Sequence, residues 1–169
     1  TERGTLENLL AMPASPMEIM LGKVLPFLIV GSVQGVVVLL AARLIFGVPF
    51  VGDMGLLLTG IFVFVFALVL IGYAISTISR TQMQAMQLTI FYFLPSLLLS
   101  GFMFPFRGMP VWAQYLGETF PLTHFLRLIR AVMLKGATLE AVAAPMVTLI
   151  GFALGIALIA LMRFRRTLD

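Results

Sequence analysis

The sequence predicts an all-α integral membrane protein. The expected architecture is four transmembrane helices, an amphipathic segment ahead of the first, and a re-entrant or interfacial helix pair before the last. Three observations carry this. Apolar residues make up 61% of the chain and charged residues only 11%, against about a quarter charged in ordinary soluble domains. Mean hydropathy is +1.11. The apolar residues also fall into four runs long enough to cross a bilayer, which takes roughly 20 residues at about 1.5 Å each. The hydrocarbon core offers backbone groups no water, so each run must satisfy its own N–H and C=O groups as a helix. Cysteine is absent, which removes disulfides, thiolate nucleophiles and cysteine metal sites. The chain begins at Thr1 inside a helix-like stretch and reads as a piece of a longer polypeptide.

The first element is "TERGTLENLLAMPASPMEIMLGK", residues 1–23. Leu6, Leu9 and Leu10 share one helical face, and Met17, Met20 and Leu21 share another after a break at Pro13 and Pro16. Two short amphipathic helices are expected, either lying on the membrane surface or docking a partner protein. Glu2, Glu7 and Glu18 weigh against contact with an anionic leaflet. Residues 24–169 form the transmembrane domain. Its first span covers about residues 24–42 and lacks the basic start of a signal peptide. The second covers about 56–78. The third, about 86–104, contains Pro95, whose missing N–H and ring clash predict a kink.

Residues 105–135 are cut by Pro105, Pro110 and Pro121, which predicts two short helices. On the first, Val111, Trp112, Tyr115 and Leu116 share a face suited to headgroup depth. On the second, Leu122, Phe125, Leu126, Ile129 and Met133 form a stripe, with His124, Arg127 and Arg130 largely off it. The last span covers about 142–162, followed by "RFRR" at 163–166. Basic residues concentrate on cytoplasmic faces. Arg3, Lys23, Arg80 and the three arginines of that cluster make six on one face, against Arg43, Arg107, Arg127, Arg130 and Lys135 on the other. The cluster lies next to a membrane boundary, where the rule is strongest, so both ends of the chain are expected in the cytoplasm.

A Walker A loop, G-x-x-x-x-G-K-[ST], is absent, which removes that way of cradling ATP. Ion-coupled carriers keep carboxylates or histidines inside the membrane. None of Glu2, Glu7, Glu18, Asp53, Glu118, Glu140 and Asp169 falls within an expected span. Transport by this chain is therefore passive or powered by a partner. Polar residues within the spans include Gln34, Tyr73, Ser96 and Ser100, the candidate pathway residues. The same side chains serve equally to bond helices together, with Gly31, Gly35, Gly72 and Gly101 permitting close packing. His124 is the one histidine, and no motif links it to a nucleophile, an orienting acid or a second metal ligand. No catalytic residue and no metal site is expected. The net charge of +4 is accounted for by membrane flanks, and no basic-aromatic stripe points to nucleic acid.

Three stretches carry a resemblance. "ERGTLENLLAMPASPMEIMLGK", "LSGFMFPFRGMP" and "FPLTHFLRLIR" resemble, in order and spacing, motifs of the permease subunits of ABC-2 type exporters, above all bacterial multidrug-type exporters. The resemblance implies an inner-membrane, multi-pass permease working as a homodimer or heterodimer among membrane lipids. A separate ATP-binding subunit would bind ATP and Mg2+, with no cofactor on this chain. Glu2, Arg3, Gly4, Thr5 and Glu7 would meet that subunit, as part of a cytoplasmic coupling helix. Phe104, Pro105, Pro121, His124 and Arg127 would belong to an outer gate. Family members usually have six spans, so two N-terminal spans would precede this chain. A non-transporting membrane scaffold that recruits a cytosolic partner through its N-terminal helix stands as the alternative.

Overall fold

The computed structural model describes the backbone of residues 16–166 and the side chains of residues 17–162. Residues 1–15, with the first expected amphipathic helix and Glu2, Arg3, Gly4, Thr5 and Glu7, lie outside the described residues. Six α-helices follow: α1 (Pro16–Leu44), α2 (Met54–Ile78), α3 (Gln82–Leu99), α4 (Val111–Glu118), α5 (Pro121–Lys135) and α6 (Leu139–Arg166), with one 3-10 turn at Phe106–Gly108. No strand occurs among the described residues.

Pro16 does not separate a short amphipathic helix from the first span. It opens α1, where its missing N–H has no intrahelical partner to lose. The helix then runs unbroken through Pro26 for 29 residues, roughly 43 Å. Met17, Met20 and Leu21 therefore belong to the spanning helix, and of the three only Met20 is buried. The start of α2 is set by Asp53, whose carboxylate accepts the Leu56 N–H at 3.1 Å, satisfying one orphan donor of the first turn.

Among the described residues three helices, α1, α2 and α6, are long and apolar enough to cross a membrane by length and composition; α3 does not reach that hydropathy. The expected third span, 86–104, is displaced toward the N-terminus and shortened. Thr81 caps α3 by accepting the Gln84 N–H at 3.2 Å, so the helix begins on Gln82, Gln84 and Gln87, which dilute its hydropathy. At the other end Ser100 donates to the Leu97 carbonyl at 3.0 Å and accepts the Phe102 N–H at 3.3 Å. Gly101 then turns at φ +83°. The resulting 18 residues measure roughly 27 Å, and the helix runs through Pro95.

Helices α1 and α2 pack antiparallel in one register. A Cβ at Gly31 would lie 2.6 Å from Val65 Cγ1, and one at Gly35 2.7 Å from Ile61 Cγ2. These two glycines permit close approach, as small residues do between membrane helices. Gly72 does not, since a Cβ there meets nothing within 4 Å. The most extensive packing is α2 against α6. Two apolar clusters hold the ends of the bundle. Leu57, Ile61, Leu128, Val132, Val142 and Leu149 form one, and Met20, Val24, Leu70 and Ala160 the other. Outside, Phe27, Phe91 and Leu154 are widely exposed, as suits a surface facing hydrocarbon.

Candidate functional site

Helix α5 lies antiparallel along α2. Val132 packs at Gly52, Leu128 at Gly60, and the rings of Phe125 and Phe64 stack at 4.1 Å. Following that register, the N-terminus of α5 lies level with the middle of α2. There Pro121 and Thr119 share a cavity of about 650 Å³ with Ile71, Tyr92 and Phe152. The α4–α5 hairpin therefore dips beside the spanning helices and returns to its starting end. Gly136, at φ +61°, closes α5 in the left-handed region, the conformation that favours glycine.

A turn at that depth leaves the last carbonyls of α4 away from water. The side chains just after the turn answer them. Thr123 Oγ1 donates to the Gly117 carbonyl at 2.5 Å and Thr119 Oγ1 to Leu116 at 2.7 Å. His124 Nε2 stands 2.9 Å from the Glu118 carbonyl oxygen; a carbonyl only accepts, so this nitrogen carries the hydrogen. The "PLTH" run is thus a cap for the preceding helix, with Pro121 buried at the first position of the next.

Charge is concentrated beside this cap. The Arg127 guanidinium grips both oxygens of Glu118, one at 2.9 Å, and lies over the Phe106 ring at 4.7 Å. Glu118 Oε2 is also 3.5 Å from His124 Nε2. One turn on, Arg130 donates to the Gly101 carbonyl at 3.2 Å. Two arginines of α5 therefore tie down the connection that leaves α3. The level of Leu128 and Phe125 places Glu118 and Arg127 beside Gly60 to Phe64, roughly 10–15 Å along α2 from its start.

One expectation changes here. The buried face of α5 is Thr123, His124, Leu128, Val132 and Met133, rotated from the expected stripe, because the Glu118 carbonyl draws His124 inward. His124 is 7% exposed and does not stand off the packed face. The hairpin also brings the Glu118 carboxylate alongside α2, within reach of Arg127 and His124. Of the two acids open to His124 and Arg127 from the sequence, Glu118 and Glu140, the structure pairs them with Glu118, six and nine residues earlier across the turn. On α4, the apolar face of Val111, Trp112, Tyr115 and Leu116 is exposed, while Ala113 and Gly117 are buried on the opposite side.

Of the other gate candidates, Phe104 and Pro105 are exposed in the turn leading to the 3-10 segment. The four pathway candidates do not share one cavity. Gln34 is exposed on α1, and Tyr73 lies at the other end of the bundle, its hydroxyl enclosed without a partner among the described residues. Ser96 and Ser100 are buried near the end of α3, Ser100 in the cap described above. No group of three or more metal-binding side chains occurs among the described residues.

These features define a class: a multi-pass helical membrane protein with a polar, internally capped helical hairpin packed beside its long apolar helices. The family model of the ABC-2 type transporter matches residues 1–134, and the chain belongs to that family. It is 38% identical over 168 residues to the inner membrane transport permease YhhJ of Escherichia coli, covering 99% of this chain and 45% of that protein. The probable multidrug ABC transporter permease YbhR of Escherichia coli is 36% identical over 141 residues, 83% of this chain and 38% of that one. ABC transporter G family member 20 of Dictyostelium discoideum is 32% identical over 137 residues, 81% of this chain and 19% of that protein. The chain thus spans less than half the length of these relatives. No solved structure matches it.

Proposed function

We propose that this chain forms part of the permease of an ATP-driven exporter, paired with a second permease subunit. A separate ATP-binding subunit supplies the energy. Support comes first from family membership across residues 1–134 and from the relatives' own descriptions as transport or multidrug permeases. On this reading residues 1–23 lie in the cytoplasm, with Glu2, Arg3, Gly4, Thr5 and Glu7 against the ATPase, where Mg2+ and ATP bind. The chain itself is no ATPase. Helices α1, α2, α3 and α6 all cross the bilayer. Substrates are amphipathic, drug-like or lipid-like compounds moving outward across the inner membrane.

The observation that carries most of this proposal is the hairpin. Its tip is satisfied internally and its charges are paired, so it can stand in apolar surroundings without ordered water. Phe104, Pro105, Pro121, His124 and Arg127 then form the frame of an outer gate. Closure of the ATPase pair moves the spanning helices against that frame as rigid bodies.

The test uses the full-length parent chain, purified in detergent with an ATP-binding subunit from the same cell, with and without residues 2–13. Co-purification and ATPase stimulation are expected for the intact chain and lost in the deletion while the membrane domain stays folded. Equal binding and stimulation by both forms would refute the coupling assignment. Binding with no nucleotide-dependent transport in vesicles would favour the scaffold.

A further inference from the structure

At the opposite end of the bundle from Gly136, a cavity of about 790 Å³ opens between α1 and α2. Its walls are of two kinds. Val24, Phe27 and Val69 make an apolar trough, while Lys23, Ser76 and Thr77 stand along it. The trough is open because Gly22 and Gly72 line it, and a Cβ at either meets nothing within 4 Å. The α1–α2 register explains the placement. Gly31 faces Val65 and Gly35 faces Ile61, so Lys23 falls level with Tyr73, one turn before Ser76 and Thr77.

The donors differ in what they have to bond. Thr77 Oγ1 donates to the Ala74 carbonyl at 2.8 Å. Lys23 Nζ and Ser76 Oγ have no partner among the described residues. An ammonium and a hydroxyl, both able to donate, thus stand beside an apolar trough where the hydrophobic run of α1 begins. A cationic occupant, or one without an anionic oxygen, would leave Lys23 unpaired. A phosphate with acyl chains matches both parts, and Lys23 with Arg80, just past α2, outweighs Glu18 in the first turn of α1, so that among the described side chains this end favours an anionic headgroup over a zwitterionic one.

We propose that this trough binds one anionic phospholipid, its phosphate between Lys23 and Ser76 and an acyl chain against Phe27 and Val69. The site rests on the spanning character of α1 and α2 and is independent of which face is cytoplasmic. It is a lipid site on the flank of the permease, separate from the hairpin.

The test exploits the single tryptophan of these 169 residues. Phe27→Trp in a background in which Trp112 and any tryptophan of the parent chain outside these 169 residues are replaced by Phe puts one reporter in the trough. The full chain is reconstituted into vesicles at one fixed ratio of phosphatidylcholine to phosphatidylglycerol, with bromine on the acyl chains of one lipid or the other. Brominated phosphatidylglycerol is expected to quench with about fivefold preference over its share of the lipid. That preference disappears in Lys23→Gln, persists in Lys23→Arg, and falls in Ser76→Ala. Gly72→Leu, which fills the trough, lowers quenching by both lipids. Circular dichroism establishes that each variant is folded. Quenching in simple proportion to composition overturns the proposal, as does a preference that survives Lys23→Gln. Quenching by neither lipid in the folded parent places another protein segment in the trough and overturns it as well.

Discussion

Gly117→Ala tests the seating of the hairpin directly. Gly117 is buried in the last turn of α4, and a Cβ there would lie 2.5 Å from the Leu99 carbonyl oxygen and 2.8 Å from Phe106 Cε2. Ordinary contact begins near 3.4 Å, so α4 and the end of α3 must separate by roughly 1 Å. Leu99 offers a backbone atom with no rotamer to relieve the clash. Overpacking of this kind costs about 1–3 kcal/mol. For a chain of this size each kcal/mol lowers Tm by about 2–4 °C, so a fall of roughly 2–12 °C is expected. The assay is thermal unfolding in detergent, followed by the fluorescence of Trp112, which lies in α4 itself. The control is Gly151→Ala, where a Cβ meets nothing within 4 Å. Alanine is the better helix former by about 1 kcal/mol, so this variant should match or slightly exceed the wild type. Gly117→Ala unfolding at the temperature of Gly151→Ala would refute the close approach of α4 to Leu99.

Two further outcomes follow from the cap and the ion pair. Thr123→Val keeps the shape but leaves the Gly117 carbonyl without its buried donor, costing about 1–3 kcal/mol; Thr123→Ser should recover most of it, and equal stability of Val and Ser variants would contradict the cap. A double-mutant cycle on Glu118→Gln and Arg127→Gln, scored by unfolding, should give a coupling of about 1 kcal/mol. That is the upper end of the range for exposed pairs, appropriate to side chains 40% and 42% exposed. Additive single variants would remove the pair from the gate.

Some of this architecture was legible because it depends on order along the chain alone. Pro105, Pro110 and Pro121, close together in one short stretch, disfavour a continuous helix there, and the structure breaks at each of them, although α1 and α3 run through Pro26 and Pro95. The end of α3 was not legible. Residues 100–104 look apolar, yet the Ser100 hydroxyl and the φ of Gly101 end the helix there. Burial of His124 was missed for a related reason: a helical wheel weighs the side chain, whereas the deciding partner is a carbonyl of the preceding helix.

By itself the sequence determined that this is a helical membrane protein, roughly where α1, α2 and α6 run, and the family to which it belongs. Hydropathy, span length and motif order are one-dimensional properties and survive any arrangement of the helices. Only the tertiary structure decided that Gly31 and Gly35 bring two helices together while Gly72 leaves a trough open. It also decided that Arg127 holds Glu118 across the turn between α4 and α5. Both outcomes depend on which side chains face one another across a register and a turn, and distances between helices are not written in the order of residues.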